Sequence, residues 1–441
     1  MTLDKLKRKF SRHNCRYLYV KTLSPNDNSK NQVYLGSSFE VLNILPLREI
    51  YPDDRGDFKE TRFKTDIDFG WLSPEGNFEN APGAQLILYP NYPEVRFSGF
   101  LRGCNQAPSE LMRQRLDRRN LFLGITECGK ILGYVTGPES QVSSEYFQLA
   151  ESLETEAIFR ILPIDDYLRD KSTFYLLIDK LRSIHEKGWI FSKRLYPDGS
   201  TGDCRSSNCG GYTLEAELGV QPNGFSEPDY LGWEIKQFGV NKFDRFKSQV
   251  ITLMTPEPNG GLYKKNGIEE FIRNYGYPDK HGRENRINFG GIHKVGKKHD
   301  TTCLRMELIG YDSSMHKITK ADGCIALVTN NDIIAASWSY SSLLKHWNRK
   351  HAKAAYIPSL MRKQPVLSYY FSNIIITGEQ TDFSYFLKLI HEGTIYYDPG
   401  IKMENADHSK PRIKRRSQFR IKSAFIPALY RNSSEIDLLK I

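Results

Sequence analysis

An α/β fold is predicted by three features of the sequence. Apolar, β-branched runs of strand length lie within residues 301–376, namely MELIGYD, CIALVTN and NIIIT. Apolar residues recur at helical spacing ahead of a stop at Gly188: Phe174, Leu177, Ile178, Leu181 and Ile184. The segment SSLLKHWNRKHAKA, residues 341–354, is a predicted helix that packs against the sheet formed by those strands.

The first part of the chain has its own mixed α/β pattern. Residues 83–90 and 97–103 are predicted as strands, and residues 121–136 as two strands turned at Cys128-Gly129. Residues 109–120 are predicted as a helix that carries several arginines: Arg113, Arg115, Arg118 and Arg119. A DNA contact through these arginines and the basic N-terminus is one interpretation, and a solvated cationic face is an equally good one.

Two domains are predicted from this pattern. Residues 1–165 form an accessory domain, and residues 170–441 form the domain that carries the site described next. No internal repeat or low-complexity linker separates them. The accessory domain is interpreted as DNA-binding, regulatory or simply additional folded mass.

A short helix is predicted over residues 210–219. Leu214 and Leu218 lie one turn apart, and Gly219 suits a left-handed C-terminal cap. Glu215 lies beside this apolar stripe, where it can face a site on a neighbouring strand. A solvated helix face explains Glu215 equally well when this helix is considered alone.

The stretch PDYLGWEIK, residues 228–236, contains a predicted strand with acidic and basic side chains. Because successive side chains of a strand alternate in direction, Glu234 and Lys236 share one face. Trp233 and Ile235 then point the other way, into a core. The strand is therefore predicted to serve both as a site and as a scaffold.

These residue types suit phosphodiester hydrolysis. A hard divalent cation polarises the phosphate and acidifies a water, and it prefers oxygen ligands such as the carboxylates of Asp229 and Glu234. The ammonium of Lys236 can orient the attacking water or stabilise charge on the phosphoryl oxygens. On this stretch alone, an ordinary surface ion pair explains the pattern about as well as a nuclease site does.

Several further segments of the sequence are more specific indicators of function than that motif. Together they resemble the MvaI/BcnI family of type II restriction endonucleases, a group of PD-(D/E)xK nucleases related to the mismatch-repair nuclease MutH. The resemblance covers about residues 175–425. It is carried by GWIFSKR (188–194), GGYTLEAELG (210–219), PDYLGWEIK (228–236), ITLMTPEPNGG (251–261), FIRNYGYPDKHGRENRINFGGIHK (271–294), SWSYSSLLKHW (337–347), IHEGTIYYDPG (390–400) and RIKRRSQFRI (412–421).

The resemblance implies a restriction-endonuclease-like fold with a mixed central sheet flanked by helices. It also implies Mg²⁺-dependent cleavage of double-stranded DNA by a monomer, leaving 5′-phosphate and 3′-hydroxyl ends. Carried over to this sequence, the metal ligands fall on Asp229, Glu234 and the backbone carbonyl of Ile235. The further catalytic residues fall on Glu215 and Lys236. The target sequence is not implied, since members of the family differ in the bases that they read.

Residues 278–299 form the first of two basic clusters that are predicted to contact DNA. The cluster has six Lys or Arg residues against two acids, and its Gly and Asn content is typical of a loop that can enter a groove. A lone histidine is more often structural, but the place of His293 within the matching segment favours a contact. The predicted DNA contacts here are Arg283, Arg286, His293 and Lys294.

Residues 410–422 form the second cluster, with seven positive charges and no acid. Ile413, Phe419 and Ile421 alternate with polar residues as in a half-buried strand, which weakens the alternative of a solvated basic tail. In the family, the corresponding segment helps to read the recognition site. The predicted DNA contacts are therefore Arg412, Lys414, Arg415 and Arg416.

The composition agrees with a folded protein that binds a polyanion. Of the 441 residues, 39% are hydrophobic and 12% aromatic, and the formal charge is +10. Lys and Arg that neutralise phosphates release condensed counterions, so a basic balance favours nucleic acid. Many basic proteins never bind nucleic acid, and charge alone therefore does not decide the function.

The seven cysteines are odd in number and irregularly spaced, which does not indicate a disulfide framework. Cys204 and Cys209 can begin a zinc site, but neither Cys303 nor Cys324 supplies a second close pair. The N-terminus lacks the apolar run of a signal peptide, and no stretch approaches a membrane span. A cytoplasmic location is therefore expected.

Three functions remain open at the level of sequence. The first is a restriction or anti-phage endonuclease. The second is a DNA-binding module with an inactive nuclease fold, and the intact Asp, Glu and Lys of the motif argue against it. The third is a nicking repair nuclease of the MutH kind. Whether the accessory domain makes the protein an oligomer or senses DNA methylation is also left open.

Overall fold

A computed structural model provides the structure of the chain. It describes residues 1–15, 17–25, 32–53, 62–90, 94–126, 129–164, 173–206, 208–220 and 229–441. The described residues fall into two compact units, Met1–Ile178 and Asp179–Ile441. The predicted domain boundary falls within residues 165–172, and the predicted turn at Cys128 falls within residues 127–128; both lie outside the described residues.

The first unit contains three α-helices among its described residues, α1 (Leu3–Ser11), α2 (Ser109–Arg113) and α3 (Gln141–Leu149). Its strands are β1 (Tyr17–Leu23), β2 (Val33–Tyr34), β3 (Ile50–Pro52), β4 (Phe63–Asp66), β5 (Phe69–Leu72), β6 (Phe78–Asn80), β7 (Gln85–Tyr89), β8 (Glu94–Ser98), β9 (Arg119–Ile125), β10 (Ile131–Thr136), β11 (Thr155–Glu156) and β12 (Phe159–Pro163).

Two sheets make up this unit. One has the strand order β11-β12-β1-β9-β10-β5-β6 and the other the order β2-β8-β7-β4-β3. Only the β10–β5 pair is parallel among the described strand pairs of these sheets. Helices α1 and α3 bury Phe10 and Tyr146 against Leu18 and Phe122 of the first sheet. The predicted mixed α/β character of the first domain is confirmed.

The helix predicted over residues 109–120 is wrong beyond Arg113. The backbone is extended at Gln114, and Arg119 already begins strand β9. The Arg119 side chain is 1% exposed, and its guanidinium donates to backbone carbonyls of Leu111 and Leu116. Arg119 therefore stabilises the fold and cannot contact DNA from this position. The strand predicted over residues 97–103 is also wrong after Ser98, where β8 ends.

The second unit contains the helices α4 (Thr173–Glu186), α5 (Cys209–Leu218), α6 (Gly261–Asn266), α7 (Ile268–Tyr275), α8 (Tyr340–His351) and α9 (Phe383–His391). The first residues of α4 belong to the first unit. The strands are β13 (Ile190–Phe191), β14 (Lys193–Leu195), β15 (Thr201–Asp203), β16 (Glu234–Gly239), β17 (Val250–Met254), β18 (Tyr277–Pro278), β19 (Arg286–Gly290), β20 (Arg305–Ile309), β21 (Tyr311–Asp312), β22 (Lys317–Ile318), β23 (Cys324–Val328), β24 (Ile334–Ser339), β25 (Lys353–Arg362), β26 (Ser368–Phe371), β27 (Ile374–Thr381), β28 (Tyr396–Tyr397), β29 (Gly400–Glu404), β30 (Arg412–Lys414), β31 (Phe419–Lys422) and β32 (Tyr430–Asp437).

The central sheet of this unit has the order β13-β26-β25-β27-β32, and β16 pairs with β25. The β16–β25 pair is parallel, whereas β25 pairs antiparallel with β26 and β27. Helix α5 packs on β16, and α8 packs on β25 and β27. The predicted mixed central sheet flanked by helices is confirmed. The helix predicted over residues 341–354 corresponds to α8, but α8 ends at His351 and Lys353 already begins strand β25.

The smaller sheets of the unit carry the basic clusters and part of the core. Strands β20-β23-β24 form one sheet, and they contain the MELI part of the predicted run MELIGYD and the CIALV part of CIALVTN. Strands β17-β31-β28 form another, in which Phe419 is buried. Strands β18-β19-β29-β30 form a third, which we call the basic sheet. None of the helices in the described part of the chain is long and apolar enough to span a bilayer.

Candidate active site

A tight turn brings Asp229 back to the start of β16. The backbones of Tyr230 and Trp233 exchange two hydrogen bonds, with N–O distances of 3.0 and 2.8 Å. Leu231 and Gly232 between them have φ values of 49° and 85°, as a two-residue hairpin turn requires. The Oδ2 atom of Asp229 accepts a hydrogen bond from the Ile235 N–H at 2.9 Å. The first motif residue, Pro228, lies outside the described residues.

The Glu234 carboxylate is buried at the first position of β16, with 2% of the residue exposed. Its Oε1 accepts a hydrogen bond from Lys236 Nζ at 2.9 Å, so Glu234 and Lys236 share a face as their spacing predicts. Trp233 and Ile235 are buried in the core, also as predicted. The second oxygen of Glu234, Oε2, is buried and has no hydrogen-bond partner among the residues that the structure describes.

Glu215 faces the same site from helix α5. The helix ends at Gly219, whose φ of 77° gives the left-handed cap that the sequence predicts. Burial raises the pKa of Glu215 to about 7, with further contributions from the charges of Asp229 and Glu234. Burial and the charge of Glu234 raise the pKa of Asp229 to about 6. The three carboxylates are therefore close enough to repel one another.

This site fits a divalent cation. A buried carboxylate oxygen without a partner costs free energy, and a cation beside Glu234 Oε2 would remove that cost. A cation would also offset the repulsion that raises the pKa values of Asp229 and Glu215. In the described ranges, no three His, Cys, Asp or Glu side chains form a ready metal-binding group. One or two carboxylates with waters are, however, a common ligand set for Mg²⁺.

Helix α5 is held in place by a buried ion-pair network. The Glu217 carboxylate lies 2.6 Å from both Lys187 Nζ and Lys193 Nζ, and its side chain is 5% exposed. Thr213 Oγ1 accepts a hydrogen bond from the Lys193 N–H at 3.1 Å. The pKa of Glu217 is lowered despite burial, because both lysines stabilise its charged form. The network fixes the helix that carries Glu215.

Lys350 is a site residue that the sequence did not reveal. Its Nζ lies 3.5 Å from Glu234 Oε1, and it stands in the last turn of α8. Strand β25 follows this helix directly, and Ala354 of β25 is paired with Glu234. The sequence offered one signal for Lys350: it is a basic residue at the end of a predicted helix. The pairing of the following strand with β16 was needed to place it beside Glu234.

Cys204 and Cys209 form a disulfide bond at the start of α5. The pair therefore forms a disulfide bond rather than the start of a zinc site, and the number and spacing of the cysteines did not predict this bond. Of the other described cysteines, Cys104 and Cys324 are buried thiols and Cys303 is an exposed one.

The basic sheet joins the two clusters that are far apart in the sequence. Arg286 of β19 is paired with Glu404 of β29, and Glu404 is paired in turn with Arg412 of β30. Lys402 and Lys414 occupy the next paired positions on the same face. This face is polar, whereas Phe289, Ile401 and Met403 of the opposite face are buried. The clusters at 278–299 and 410–422 therefore contribute to one basic surface.

The predicted DNA-contact residues differ in how available they are. Arg286 is half-buried and lies 3.2 Å from Asp279, and Lys294 lies over the Tyr396 ring at 5.6 Å. Lys414 is paired loosely with Glu404 at 3.7 Å. The remaining arginines have exposed side chains: Arg283, Arg412, Arg415 and Arg416. These four arginines and the exposed Lys414 are therefore the predicted contact residues most available to a ligand.

The prediction that His293 contacts DNA is wrong for this structure. The residue is 0% exposed, and its ring stacks on His299 with a centroid distance of 4.5 Å. One ring nitrogen lies 2.9 Å from the Gly291 carbonyl oxygen and the other 2.9 Å from Thr302 Oγ1. Burial and His299 lower the pKa of His293 to about 4. The imidazole is therefore a neutral structural group.

Comparison with known proteins identifies the second unit. The model of the MvaI/BcnI restriction endonuclease family matches residues 178–430, which is more than half of the 441-residue chain. The chain belongs to the MvaI/BcnI restriction endonuclease family. It is therefore a DNA endonuclease, and the predicted family resemblance is confirmed. The matched range contains Glu215, Asp229, Glu234 and Lys236 as well as the basic sheet, and it begins at the end of the first unit.

Two solved structures resemble this MvaI/BcnI family member. The one described as "Restriction endonuclease MvaI-cognate DNA substrate complex" is 16% identical and has a TM-score of 0.45. The one described as "Restriction endonuclease MvaI in the absence of DNA" is 18% identical and has a TM-score of 0.33. Each match covers 60% of this chain and 98% of the other. No match was found among curated protein sequences.

Proposed function

We propose that this chain is a Mg²⁺-dependent, site-specific endonuclease that cuts double-stranded DNA to 5′-phosphate and 3′-hydroxyl ends. Its role would be restriction or anti-phage defence in the cytoplasm. The observation that carries the proposal is the Glu234 carboxylate: one oxygen is bound by Lys236, and the other is buried with no hydrogen-bond partner in the described part of the chain. Asp229 and Glu215, whose pKa values are raised, are the further carboxylates of the site.

The ligands proposed for Mg²⁺ are Asp229, Glu234 and the backbone carbonyl of Ile235. When bound, the cation supplies Lewis acidity that polarises the phosphate and acidifies a water. The hydrogen bond from the Ile235 N–H holds Asp229 beside Glu234, so these carboxylates are preorganised by the turn and the strand. Glu215 would hold a water of the site or a second cation from the opposite side.

Lys236 is the proposed positioning group for the attacking water. Its ammonium is fixed by Glu234 and is 15% exposed, so it points into a partly desolvated site where its charge acts strongly. There it can orient the water and stabilise negative charge that develops on the phosphoryl oxygens. The carboxylates would accept hydrogen bonds from that water and take up its proton as it attacks the phosphorus.

DNA contact is proposed for the exposed arginines and lysines of the basic sheet and its loops. Arg283, Arg412, Lys414, Arg415 and Arg416 are exposed, and their positive charge matches the phosphate backbone. Arg286 and Lys294 would join them from half-buried positions. We propose that a monomer binds the duplex and cuts its strands in turn, and analytical ultracentrifugation of the DNA complex tests this stoichiometry.

The first unit is proposed to be an accessory DNA-binding or regulatory domain, since the family match begins only at residue 178. A chain that starts at residue 171 keeps helix α4 whole and can be compared with the full chain. Loss of affinity or of a response to DNA methylation would support the accessory role. Identical binding and cleavage of methylated and unmethylated plasmid by both proteins would exclude it.

The test of the proposed activity is digestion of supercoiled plasmid with Mg²⁺. We expect linear DNA whose ends a ligase can join without prior phosphorylation. Asp229→Ala, Glu234→Ala and Lys236→Ala should bind DNA but not cut it, because each removes a cation ligand or the positioning ammonium. Glu186→Ala, an exposed acid on α4, is the matched control and should cut normally.

Each other outcome excludes part of the proposal. Accumulation of open circles would indicate a nicking nuclease, and DNA binding without any cleavage would indicate an inactive module. Normal digestion by all three alanine variants would show that the active site lies elsewhere. Equal activity with EDTA present would exclude the divalent cation.

A further inference from the structure

Ile292 presents an exposed apolar side chain within a basic loop. Residues 290–298 connect β19 towards β20, and their sequence GGIHKVGKK contains three lysines. The Ile292 residue is 51% exposed. Single exposed isoleucines are common on protein surfaces, so exposure alone indicates nothing. What distinguishes Ile292 is how firmly the backbone on both sides of it is held.

The residue that follows Ile292 is anchored in the core. The His293 N–H donates to the Tyr397 carbonyl at 2.8 Å, and the Tyr397 N–H donates back to His293 at 3.1 Å. The buried His293 ring stacks between Phe289 and His299, with centroid distances of 5.5 and 4.5 Å. Backbone and side chain of His293 are therefore both fixed, and Ile292 cannot withdraw by movement of this neighbour.

The residue that precedes Ile292 is also held, because the Gly291 carbonyl oxygen lies 2.9 Å from a ring nitrogen of the buried His293. Gly291 has a φ of 103°, which a side chain would strain, and a Cβ atom there would lie 2.2 Å from His299 Nε2. Further along, the Gly296 N–H donates to the Met306 carbonyl at 3.0 Å, and the Lys297 N–H donates to the Lys294 carbonyl at 3.2 Å. The loop is thus a rigid support for the Ile292 side chain.

The surroundings of Ile292 suit a nucleic acid. Ile292 lies two residues after Gly290, which ends strand β19 of the basic sheet. Lys294, Lys297 and Lys298 follow in the same loop, and Lys297 and Lys298 are exposed. Lysines in such positions can bind phosphates and hold a duplex against the loop without reading its sequence. An apolar tip would then meet the stacked bases.

We propose that Ile292 is an apolar wedge that inserts between neighbouring base pairs of bound DNA, which unstacks and kinks the duplex. The inference rests on the proposed function, because it requires that the basic sheet binds DNA. Apolar side chains of this size act as wedges in proteins that bend DNA, and the bend lets the duplex cover more protein surface. A rigid support is needed, because a mobile side chain would be displaced and the bases would stay stacked.

The test uses full-length Lys236→Ala protein, which is expected to bind without cutting, on DNA that contains a cleavage site mapped with the unsubstituted enzyme. Permanganate oxidises unstacked thymines, and 2-aminopurine placed at the remaining steps reports unstacking by fluorescence. Fluorescence transfer between dyes on the duplex ends reports the bend. Ile292→Ala and Ile292→Leu are compared in this background.

Ile333→Ala is the matched control, because Ile333 is 49% exposed in the turn between β23 and β24 beside Asp332. We expect one unstacked step and a bend that Ile292→Ala abolishes, with affinity about tenfold lower. Ile292→Leu and Ile333→Ala should keep both signals. Equal melting temperatures of the variants would show that folding is unchanged.

The wedge proposal is overturned if unstacking and bending persist in the Ile292→Ala variant. It is also overturned if the Lys236→Ala protein with Ile292 intact shows neither unstacking nor bending. If the unsubstituted enzyme cuts DNA in these cases, the proposed function stands and only the wedge fails. If the unsubstituted enzyme neither binds nor cuts DNA, the proposed function fails and the wedge fails with it.

Discussion

Lys350 Nζ lies 3.5 Å from Glu234 Oε1, the carboxylate oxygen that also accepts a hydrogen bond from Lys236 Nζ. Two ammonium groups thus converge on one oxygen, while the other oxygen, Oε2, has no hydrogen-bond partner within the described ranges. The Lys350 side chain is 34% exposed and that of Lys236 15%. Lys350 therefore borders solvent at the edge of the site.

Replacing Lys350 with Ala should lower the rate of DNA cleavage by about ten- to a hundredfold, because a cation close to the scissile phosphate stabilises developing charge. DNA affinity should change only a fewfold, and Lys350→Arg should recover part of the rate. Single-turnover kinetics on a mapped site measures the effect. Lys345→Ala on the same helix is the control, and equal rates for the Lys345 and Lys350 variants would remove Lys350 from the active site.

The local pattern was sufficient to predict the strand and helix of the site. Alternation along β16 placed Glu234 and Lys236 together, and Gly219 marked the end of α5, because both features depend on residues close in sequence. The turn at Leu231 was not predicted. A leucine with positive φ is uncommon, so this backbone conformation is dictated by the surrounding pairing of Tyr230 with Trp233.

Long-range contacts account for most of what sequence alone did not provide. Lys350 reaches Glu234 only because α8 leads into β25, and that strand pairs with β16. The burial of His293 depends on Tyr397 and His299, which no local pattern connects to it. Arg119 was assigned to an exposed helix because its buried carbonyl partners are formed by the fold. Charge patterns indicated a basic surface but could not separate bound arginines from free ones.

The coupled carboxylates predict a pH-dependent stability of the metal-free protein. The pKa of Asp229 is raised to about 6 and that of Glu215 to about 7, so the folded state binds protons more tightly than the unfolded state. This stabilisation is fully present below about pH 4 and is lost as the pH rises through 6 to 7. We expect the melting temperature in EDTA to fall over that range.

Asp229→Asn should flatten this pH dependence, because it removes one titrating group and a charge that raises the pKa of Glu215. The exposed Asp244→Asn is the control and should leave the profile unchanged. Added Mg²⁺ should raise the melting temperature more at pH 8 than at pH 5.5, since the cation competes with protons for the carboxylates. A melting temperature that rises with pH, or equal profiles for both variants, would contradict the coupling.

Removal of the Glu217 charge should destabilise the fold. Glu217→Gln leaves Lys187 and Lys193 without their carboxylate, and a lost partner of a buried ion pair is costly. Both lysines are partly exposed, so water limits the loss of unfolding free energy to about 1–3 kcal/mol. Urea unfolding measures this loss of unfolding free energy, and Glu186→Gln, at an exposed position, is the control. Equal unfolding midpoints would show that the network does not hold α5.

The exposed arginines after β30 should set the salt dependence of DNA binding. Arg415 and Arg416 are exposed, and each phosphate contact releases about one counterion when DNA binds. Arg415→Ala and Arg416→Ala should each weaken binding and lower the slope of log affinity against log salt concentration by about one. Fluorescence anisotropy at several salt concentrations measures this slope. The control is Lys320→Ala, which changes an exposed lysine outside the basic sheet and should leave the slope unchanged. An unaltered slope in both arginine variants would show that the phosphate backbone binds elsewhere.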